Sequence, residues 1–238
     1  MDKIIMLQHL IDSSSKIVFF GGAGVSTESG IKDFRSKDGL YAIKYDYPPE
    51  TILSHTFFQY KTTEFYKFYK DKLNTLDSLP NVCHTYLAKL EKQGKLSAVI
   101  TQNIDGLHTK AGSNNVLELH GSIYNNRCTR CSKEYDAEFI FKQEGIPICD
   151  CGGIIKPNVV LYEEPLNDNI VECAIKEIED SDLLIIAGTS LLVYPASSFI
   201  RYFRGKNLVI INKDSTPYDE LATLIIHDKI GTVFSHLH

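Results

Sequence analysis

Six short apolar runs rich in strand-forming residues recur along the chain, at residues 16–20, 96–100, 116–119, 183–186, 208–211 and 223–226. Most are continuous rather than alternating, as expected of strands covered on both faces. Segments with helical periodicity lie between many of them, including residues 82–93, which Gly94 would stop. Strands alternating with helices imply an α/β fold built on an open parallel sheet with helices on both faces. Thr216 as N-cap, with Pro217 at the first helical position, predicts a further short helix before the last run. Two stretches break the alternation and read as insertions: residues 33–80, polar and then aromatic and helical, and residues 123–155, which hold four cysteines. The sheet domain would then comprise residues 1–32, 81–122 and 156–238.

With 43% hydrophobic and 23% charged residues the chain has the composition of an ordinary soluble globular protein. Its net charge of −5 argues against a partner held mainly through phosphates, so no direct nucleic-acid binding is expected. No apolar run approaches the roughly 20 residues that span a bilayer. Met1-Asp-Lys leads into an amphipathic pattern rather than a signal peptide, which gives the expectation of a cytosolic protein with no membrane partner. In a reducing compartment six cysteines are thiols before they are disulfides. Cys128-x2-Cys131 and Cys149-x-Cys151 form a cluster, whereas Cys83 and Cys173 stand alone in apolar helical patterns and read as inert core thiols.

Chemistry should follow the carboxyl ends of the strands, where open sheets bind their ligands. The first run ends in Gly21-Gly-Ala-Gly-Val-Ser-Thr-Glu-Ser-Gly30. Glycines there admit the backbone to a phosphate, and a helix N-terminus behind them would offer free N–H groups. Thr27 stands where the third glycine of G-x-G-x-x-G belongs, so a plain tight turn is the competing reading. Asp33-Phe-Arg-Ser36 follows where an ordinary dehydrogenase would continue its helix, which fits simple hydride transfer poorly. The second run ends in Thr101-Gln-Asn-Ile-Asp-Gly-Leu-His108, a concentration of amide and carboxylate groups that is either a ligand site or an Asx-rich turn. The third ends in Leu119-His120-Gly121-Ser122; an imidazole there suits proton abstraction near neutral pH. Later strands end in Ala187-Gly-Thr-Ser190 and Ile211-Asn212-Lys213.

Taken in order, Gly22-Ala-Gly-Val-Ser-Thr27, Gly30-Ile-x-Asp-Phe-Arg35, residues 101–108, Leu119-His-Gly-Ser122, Gly188-Thr-Ser-Leu-x-Val-Tyr-Pro195 and the cysteine cluster resemble the sirtuins over nearly the whole chain. The resemblance implies a Rossmann-like NAD-binding domain, a cofactor-binding loop with a helical insertion (33–80) and a small zinc-ribbon module (123–155). It implies an NAD-dependent protein-lysine deacetylase that transfers acetyl from acetyl-lysine to ADP-ribose and releases nicotinamide. Gly22, Ala23, Gly24, Thr27, Arg35, Gln102, Gly188, Thr189, Ser190, Asn212 and Lys213 would contact the phosphates, riboses or adenine of NAD, with Ile230 closing on the adenine. Ile104 and Asp105 would hold the nicotinamide amide, Asn103 would position ribose or water, and Phe34 would cover the reacting carbon. His120 would act as general base on a ribose hydroxyl. Val160, Tyr162 and Val193 would receive the acylated peptide.

Four thiolates from Cys128, Cys131, Cys149 and Cys151 would fill the shell of one structural Zn2+, with two local disulfides as the alternative. The chain departs from the sirtuin pattern in several places. Cys149 and Cys151 are separated by one residue rather than two, and Lys32 stands where proline is usual, which should loosen the loop without removing a reacting group. Val159-Val-Leu-Tyr-Glu-Glu164 replaces the usual Val-Val-x-Phe-Gly-Glu on the edge that would pair with the peptide. Where sirtuins selective for acidic acyl groups carry Tyr-x-x-Arg, this chain has Tyr66 and Tyr69, so Tyr66 is expected to face substrate and acetyl to be preferred. Two other readings stay open: an ADP-ribosyltransferase, and a zinc-ribbon binding module on an inactive NAD-sensing scaffold.

Overall fold

The computed structural model describes residues 2–34, 39 and 45–238, and its main sheet grows from the continuous apolar runs. The strands are β1 (Ile17–Gly21), β2 (Leu96–Thr101), β3 (Val116–Glu118), β4 (Gly121–Cys128), β5 (Glu134–Tyr135), β6 (Ile155–Val159), β7 (Leu183–Ala187), β8 (Asn207–Ile211) and β9 (Leu224–Ile226). Six of them form an all-parallel sheet in the order β3-β2-β1-β7-β8-β9. The order reverses between β1 and β7, and that switch point is where an open α/β sheet binds its ligand.

Every residue of β1 and of β7 is buried. Ile17, Phe19, Leu183, Ile185, Val209 and Ile211 pack against the helices Lys3–Ser13, Val82–Lys92 and Ile230–Ser235. Val18, Phe20, Leu184, Ile186, Leu208 and Ile210 face the helix Asp168–Glu179 and the turn Ala196–Tyr202. Each such side chain is worth about 1.5–3 kcal/mol relative to exposure, so neither face of the central strands can turn to water. Helix Val82–Lys92 begins at a reciprocal cap, in which Asn81 accepts from Cys83 N–H and His84 Nδ1 accepts from Asn81 N–H. It ends before Gly94, whose φ is +73°.

β4, β5 and β6 make a second, antiparallel sheet in the order β5-β4-β6. The two insertions are not separate bodies. The helices Pro49–Ile52, His55–Tyr60 and Thr62–Lys72 share one core with that sheet, in which Phe57, Phe58, Phe65, Tyr66, Phe68 and Tyr69 meet Ile123, Ile140, Ile155 and Val159. The Tyr66 hydroxyl donates to the Ile155 carbonyl, Tyr69 stacks on Phe141 with ring centroids 5.6 Å apart, and Lys70 Nζ donates to the Gly145 carbonyl at 2.7 Å.

The helix expected behind the glycine run is a 3-10 helix, Ala23–Ser29. Two sequence expectations need correction. The region around Thr216 forms a single 3-10 turn, Asp219–Leu221, because Thr216 N–H and Oγ1 both donate to the Asp219 carboxylate, at 3.1 and 2.6 Å, and hold a local turn that competes with helix. Cys173 is exposed: its helix buries Ala174 and Ile178, and the neighbouring position points outward.

Candidate active site

The carboxyl ends of β1 and β7 touch backbone to backbone. Gly22 N–H donates to the Ala187 carbonyl at 3.1 Å and Gly24 N–H to the Gly188 carbonyl at 2.8 Å. A Cβ at Gly24 would lie 2.7 Å from Gly188 Cα, and Gly188 itself has φ +62°. Glycine is required on both sides of this crevice, which brings Gly22, Ala23, Gly24 and Thr27 opposite Gly188, Thr189 and Ser190. Thr27 Oγ1 donates to the Gly24 carbonyl at 3.0 Å. Ile230 packs against the Gly188 turn, its Cδ1 2.7 Å from where a Cβ would be. Asn212 and the exposed Lys213 follow β8 on the same edge of the sheet, with Asn212 Nδ2 donating to the Asp214 carbonyl at 2.7 Å. Arg35 lies outside the described residues; Phe34 packs partly buried against the aromatic core.

On the other side of β1, the end of β2 carries a polar relay. Asn103 Nδ2 donates to Ser26 Oγ at 3.1 Å, and Ser26 Oγ donates to Asp105 Oδ2 at 2.7 Å. Asp105 Oδ1 accepts Leu107 N–H at 2.9 Å. Burial pushes the Asp105 carboxyl above its ordinary pKa, against the opposing pull of these hydrogen bonds. Ile104 accepts Ile123 N–H through its carbonyl at 3.0 Å, tying this turn to β4. The Gln102 Nε2 amide is buried and has no hydrogen-bond partner among the described residues. A donor in that state fits a site that completes itself by binding a polar ligand.

His120 follows β3. Its Nδ1 lies 2.9 Å from the Gln102 carbonyl oxygen. A carbonyl only accepts, so Nδ1 carries the proton and Nε2 is left with a free lone pair. Burial lowers the His120 pKa, with the Gln102 carbonyl pulling the other way. Gly121 is required beside it: φ is +72°, and a Cβ there would lie 1.9 Å from the Asn158 carbonyl oxygen. That close passage lets Val160 N–H reach the His120 carbonyl at 2.9 Å.

Val160 and Tyr162 continue from β6, an edge strand of the small sheet; Val160 brings this segment to His120, and Tyr162 ties it to Leu53 and His55 through both of its backbone groups. Val193 lies on the turn after β7, between the exposed Leu192 and Tyr194. Tyr66 is not at this edge: it is 1% exposed, and its hydroxyl is engaged in the core. The aromatic stretch packs the helix instead of lining an open acyl site.

Cys128, Cys131, Cys149 and Cys151 bring their four sulfurs within 4.8 Å of one another, with Cys128 Sγ 3.4 Å from Cys151 Sγ and Cys131 Sγ 3.6 Å from Cys149 Sγ. Four thiolates each about 2.3 Å from one zinc ion would stand about 3.8 Å apart, so the cluster fits a tetrahedral structural site. All four are free thiols, which sets aside the two local disulfides. The single residue between Cys149 and Cys151 is accommodated by a turn in which Gly152 has φ +78°. Tyr135 donates its hydroxyl to Cys149 Sγ at 3.0 Å, and this bond leads the effects that lower the Cys149 pKa to about 6.

Two groups were not singled out in the sequence. Ser26 joins Asn103 to Asp105 from inside the glycine run, where its spacing carries no signal of a partner 79 residues away. Glu118, paired in register with Thr101, is pushed up to about 7 by burial and by the charge of Asp105. An acidic residue closing an apolar strand run was the available clue.

The model of the Sir2 family matches residues 22–195. The chain is 56% identical over 237 residues to an NAD-dependent protein deacetylase of Clostridium acetobutylicum, covering 98% of this chain and 97% of the relative. It is 57% identical over 236 residues to an NAD-dependent protein deacetylase of Clostridium perfringens, covering 98% and 97%. Among solved structures, a Sir2 variant with a deacetylated p53 peptide and 3'-O-acetyl ADP ribose superposes with a TM-score of 0.90 at 39% identity, covering 99% of this chain and 97% of that one. A Sir2 with a p53 peptide and NAD+ superposes with a TM-score of 0.86 at 38% identity, covering 99% and 96%. With a family match across the crevice, the relay and His120, and relatives alike from end to end, the chain belongs to the Sir2 family.

Proposed function

We propose that this protein is an NAD-dependent protein-lysine deacetylase, which transfers the acetyl group of acetyl-lysine to ADP-ribose and releases nicotinamide. The observation that carries this reading is His120, held in the Nδ1–H tautomer by Gln102 at the point where the segment after β6 meets the ligand crevice. NAD supplies the activated ribose that takes the acetyl group. Residues 1–32, 81–122 and 156–238 would bind NAD, with residues 33–80 and 123–155 forming the cofactor loop with its helices and the zinc module. The glycine turns that bring β1 and β7 together would present Gly22, Ala23, Gly24, Thr27, Thr189 and Ser190 to the phosphates. Asn212, Lys213 and Ile230 would form the adenine side, and Arg35 and Phe34 the cover over the ribose. Asn103 and Asp105 would orient the ribose and the nicotinamide amide, because the Ser26 relay fixes both side chains. His120 Nε2 would take the ribose hydroxyl proton. Cys128, Cys131, Cys149 and Cys151 would hold one structural zinc away from the chemistry.

No helix among the described residues is long and apolar enough to cross a membrane. A cytoplasmic site of action is part of the same proposal.

The test is incubation with NAD and an acetyl-lysine peptide. Free nicotinamide, acetyl-ADP-ribose and deacetylated peptide should appear in equal amounts. Protein labelled from NAD without peptide deacetylation would point to ADP-ribosyl transfer instead.

Asp105→Asn is expected to weaken inhibition by added nicotinamide by about tenfold or more, the value of one hydrogen bond to a charged group. Unchanged inhibition would place nicotinamide elsewhere. With the aromatics of the helix Thr62–Lys72 packed in the core, acyl choice turns on whether that helix offers a cation. Tyr69 is fully buried, Lys67 is exposed, Lys70 is spent on the Gln143 and Gly145 carbonyls, and Lys72 is paired with Asp71 at 2.8 Å, so no cation of this helix is available to a buried carboxylate. A succinyl group would lose several kcal/mol of solvation without a counter-charge. Comparing kcat/KM for acetyl and succinyl versions of one peptide should favour acetyl by more than about tenfold.

A further inference from the structure

The edge that continues β6 ends in two adjacent carboxylates with opposite fates. Glu164 is built into a network: its Oε1 lies 2.8 Å from His55 Nδ1, and its Oε2 accepts from Lys156 Nζ at 3.0 Å and from Leu161 N–H at 2.9 Å. Glu163 is exposed and forms no ion pair among the described residues. It also stands where the sirtuin pattern has glycine, and its φ of +75° shows why glycine is usual there. The strained residue persists because its carboxylate Oε2 accepts Thr56 N–H, at 2.9 Å, at the start of helix His55–Tyr60. The same junction is closed by His55 N–H donating to the Tyr162 carbonyl and Tyr162 N–H donating to the Leu53 carbonyl, each at 2.9 Å. A charge is thereby fixed beside the exposed end of the edge. Its pKa is lowered, first by the Thr56 hydrogen bonds, so it stays ionised through the neutral range.

We propose that Glu163 is a specificity-determining residue of the substrate groove, favouring acetyl-lysine peptides that carry a lysine or arginine close to the acetylated residue. The inference rests on the deacetylase reading and on the peptide lying beside the Val160–Tyr162 segment, whose Tyr162 is itself bridged to Leu53 and His55. Val160 lies against His120, and residues 161–164 make a turn in which Glu164 N–H donates to the Leu161 carbonyl at 3.0 Å, so the Glu163 backbone stands within about 10 Å of Val160, the full reach of three extended residues. The favoured cation is therefore within three residues of the acetyl-lysine, on one side only. Lys156, the neighbouring cation, is already paired with Glu164 and leaves the Glu163 charge uncompensated.

The experiment compares acetyl-lysine peptides that differ only in having Lys, Ala or Glu at each of the three positions before and after the acetyl-lysine. The full-length protein should prefer Lys over Glu by about 3- to 10-fold in kcat/KM, mainly through KM, at a position within three residues on one side. The preference should shrink in 0.5 M salt, where the screening length drops to a few ångströms (~4 Å). Glu163→Gln keeps an acceptor for Thr56 and should abolish the preference while turning over the Ala peptide normally. Glu163→Gly, which relieves the backbone, should do the same. Equal kcat/KM for Lys and Glu peptides, or a preference that survives in Glu163→Gln, overturns the proposal while leaving the deacetylase reading intact. Absence of turnover on every acetyl peptide removes both.

Discussion

His120→Ala is expected to lose roughly 10²- to 10⁴-fold in deacetylation rate while NAD affinity changes little, since a general base contributes to the rate and not to ground-state binding. The hydrogen bond from Nδ1 to the Gln102 carbonyl makes this specific, because it leaves Nε2 as the one basic nitrogen. Steady-state rates with a saturating acetyl peptide, set beside NAD titration by calorimetry, check both halves. Wild-type turnover in the variant would take His120 out of the chemistry. A pH profile adds a sign. Burial lowers the His120 pKa below 6.5, so the base form persists into more acidic solution and the acid limb of kcat should fall below that value. A limb above it would assign the titration to another group, and Glu118, held near 7, is the first to replace by Gln.

Loss of zinc should have the largest effect on the structure. Metal analysis is expected to find one ion per chain, and Cys128→Ser or prolonged chelation to remove it. Cys128 and Cys149 lie in the same buried cluster as Phe57, Phe58, Phe65, Phe68 and Tyr69, so the helices that close the cofactor loop should loosen along with the small sheet. Structural zinc is worth about 10–16 kcal/mol in isolated fingers, as much as the whole stability of a typical domain, so the shared core should not survive its removal. The parallel sheet has its own two cores and should persist. Near-UV circular dichroism reads the difference, because the chain has 13 tyrosines and no tryptophan, and Tyr66 and Tyr69 are in the affected core. A metal-free protein with unchanged tyrosine signal and activity would refute the site.

The central parallel strands were legible because both of their faces are buried, which writes continuous apolar runs into the sequence. β4 was not, since it runs through Tyr124-Asn-Asn-Arg127 and owes its place to pairing with β6 rather than to its own pattern. The helix expected at Thr216 was lost to side-chain hydrogen bonds that a capping residue also offers to a turn. Within the site, the ends of the strands pointed to the glycine loop, Asn103, Asp105 and His120 one by one. Their connection through Ser26 depends on contacts between β1 and β2 that no local window contains. At Glu163 the departure from glycine was visible, but the compensating bond to Thr56 crosses 107 residues.

The common core of the two insertions also constrains the order in which the chain can be assembled. The Tyr66 hydroxyl waits for a carbonyl 89 residues further along, and Lys70 for one 75 residues away. While the ribosome is still making the intervening β2 and β3, the aromatic face of the helix Thr62–Lys72 has only upstream residues such as Phe58 and Tyr45 to pack against. The cysteine hairpin, by contrast, closes over short distances, 23 residues between Cys128 and Cys151. Such a local unit can capture its ion early and then serve as the template on which the earlier helices dock, since closing a short loop costs less entropy than closing a long one. Until that docking, several phenyl and phenol rings stay in contact with water, and a nascent chain deprived of zinc would expose an adhesive surface throughout its synthesis.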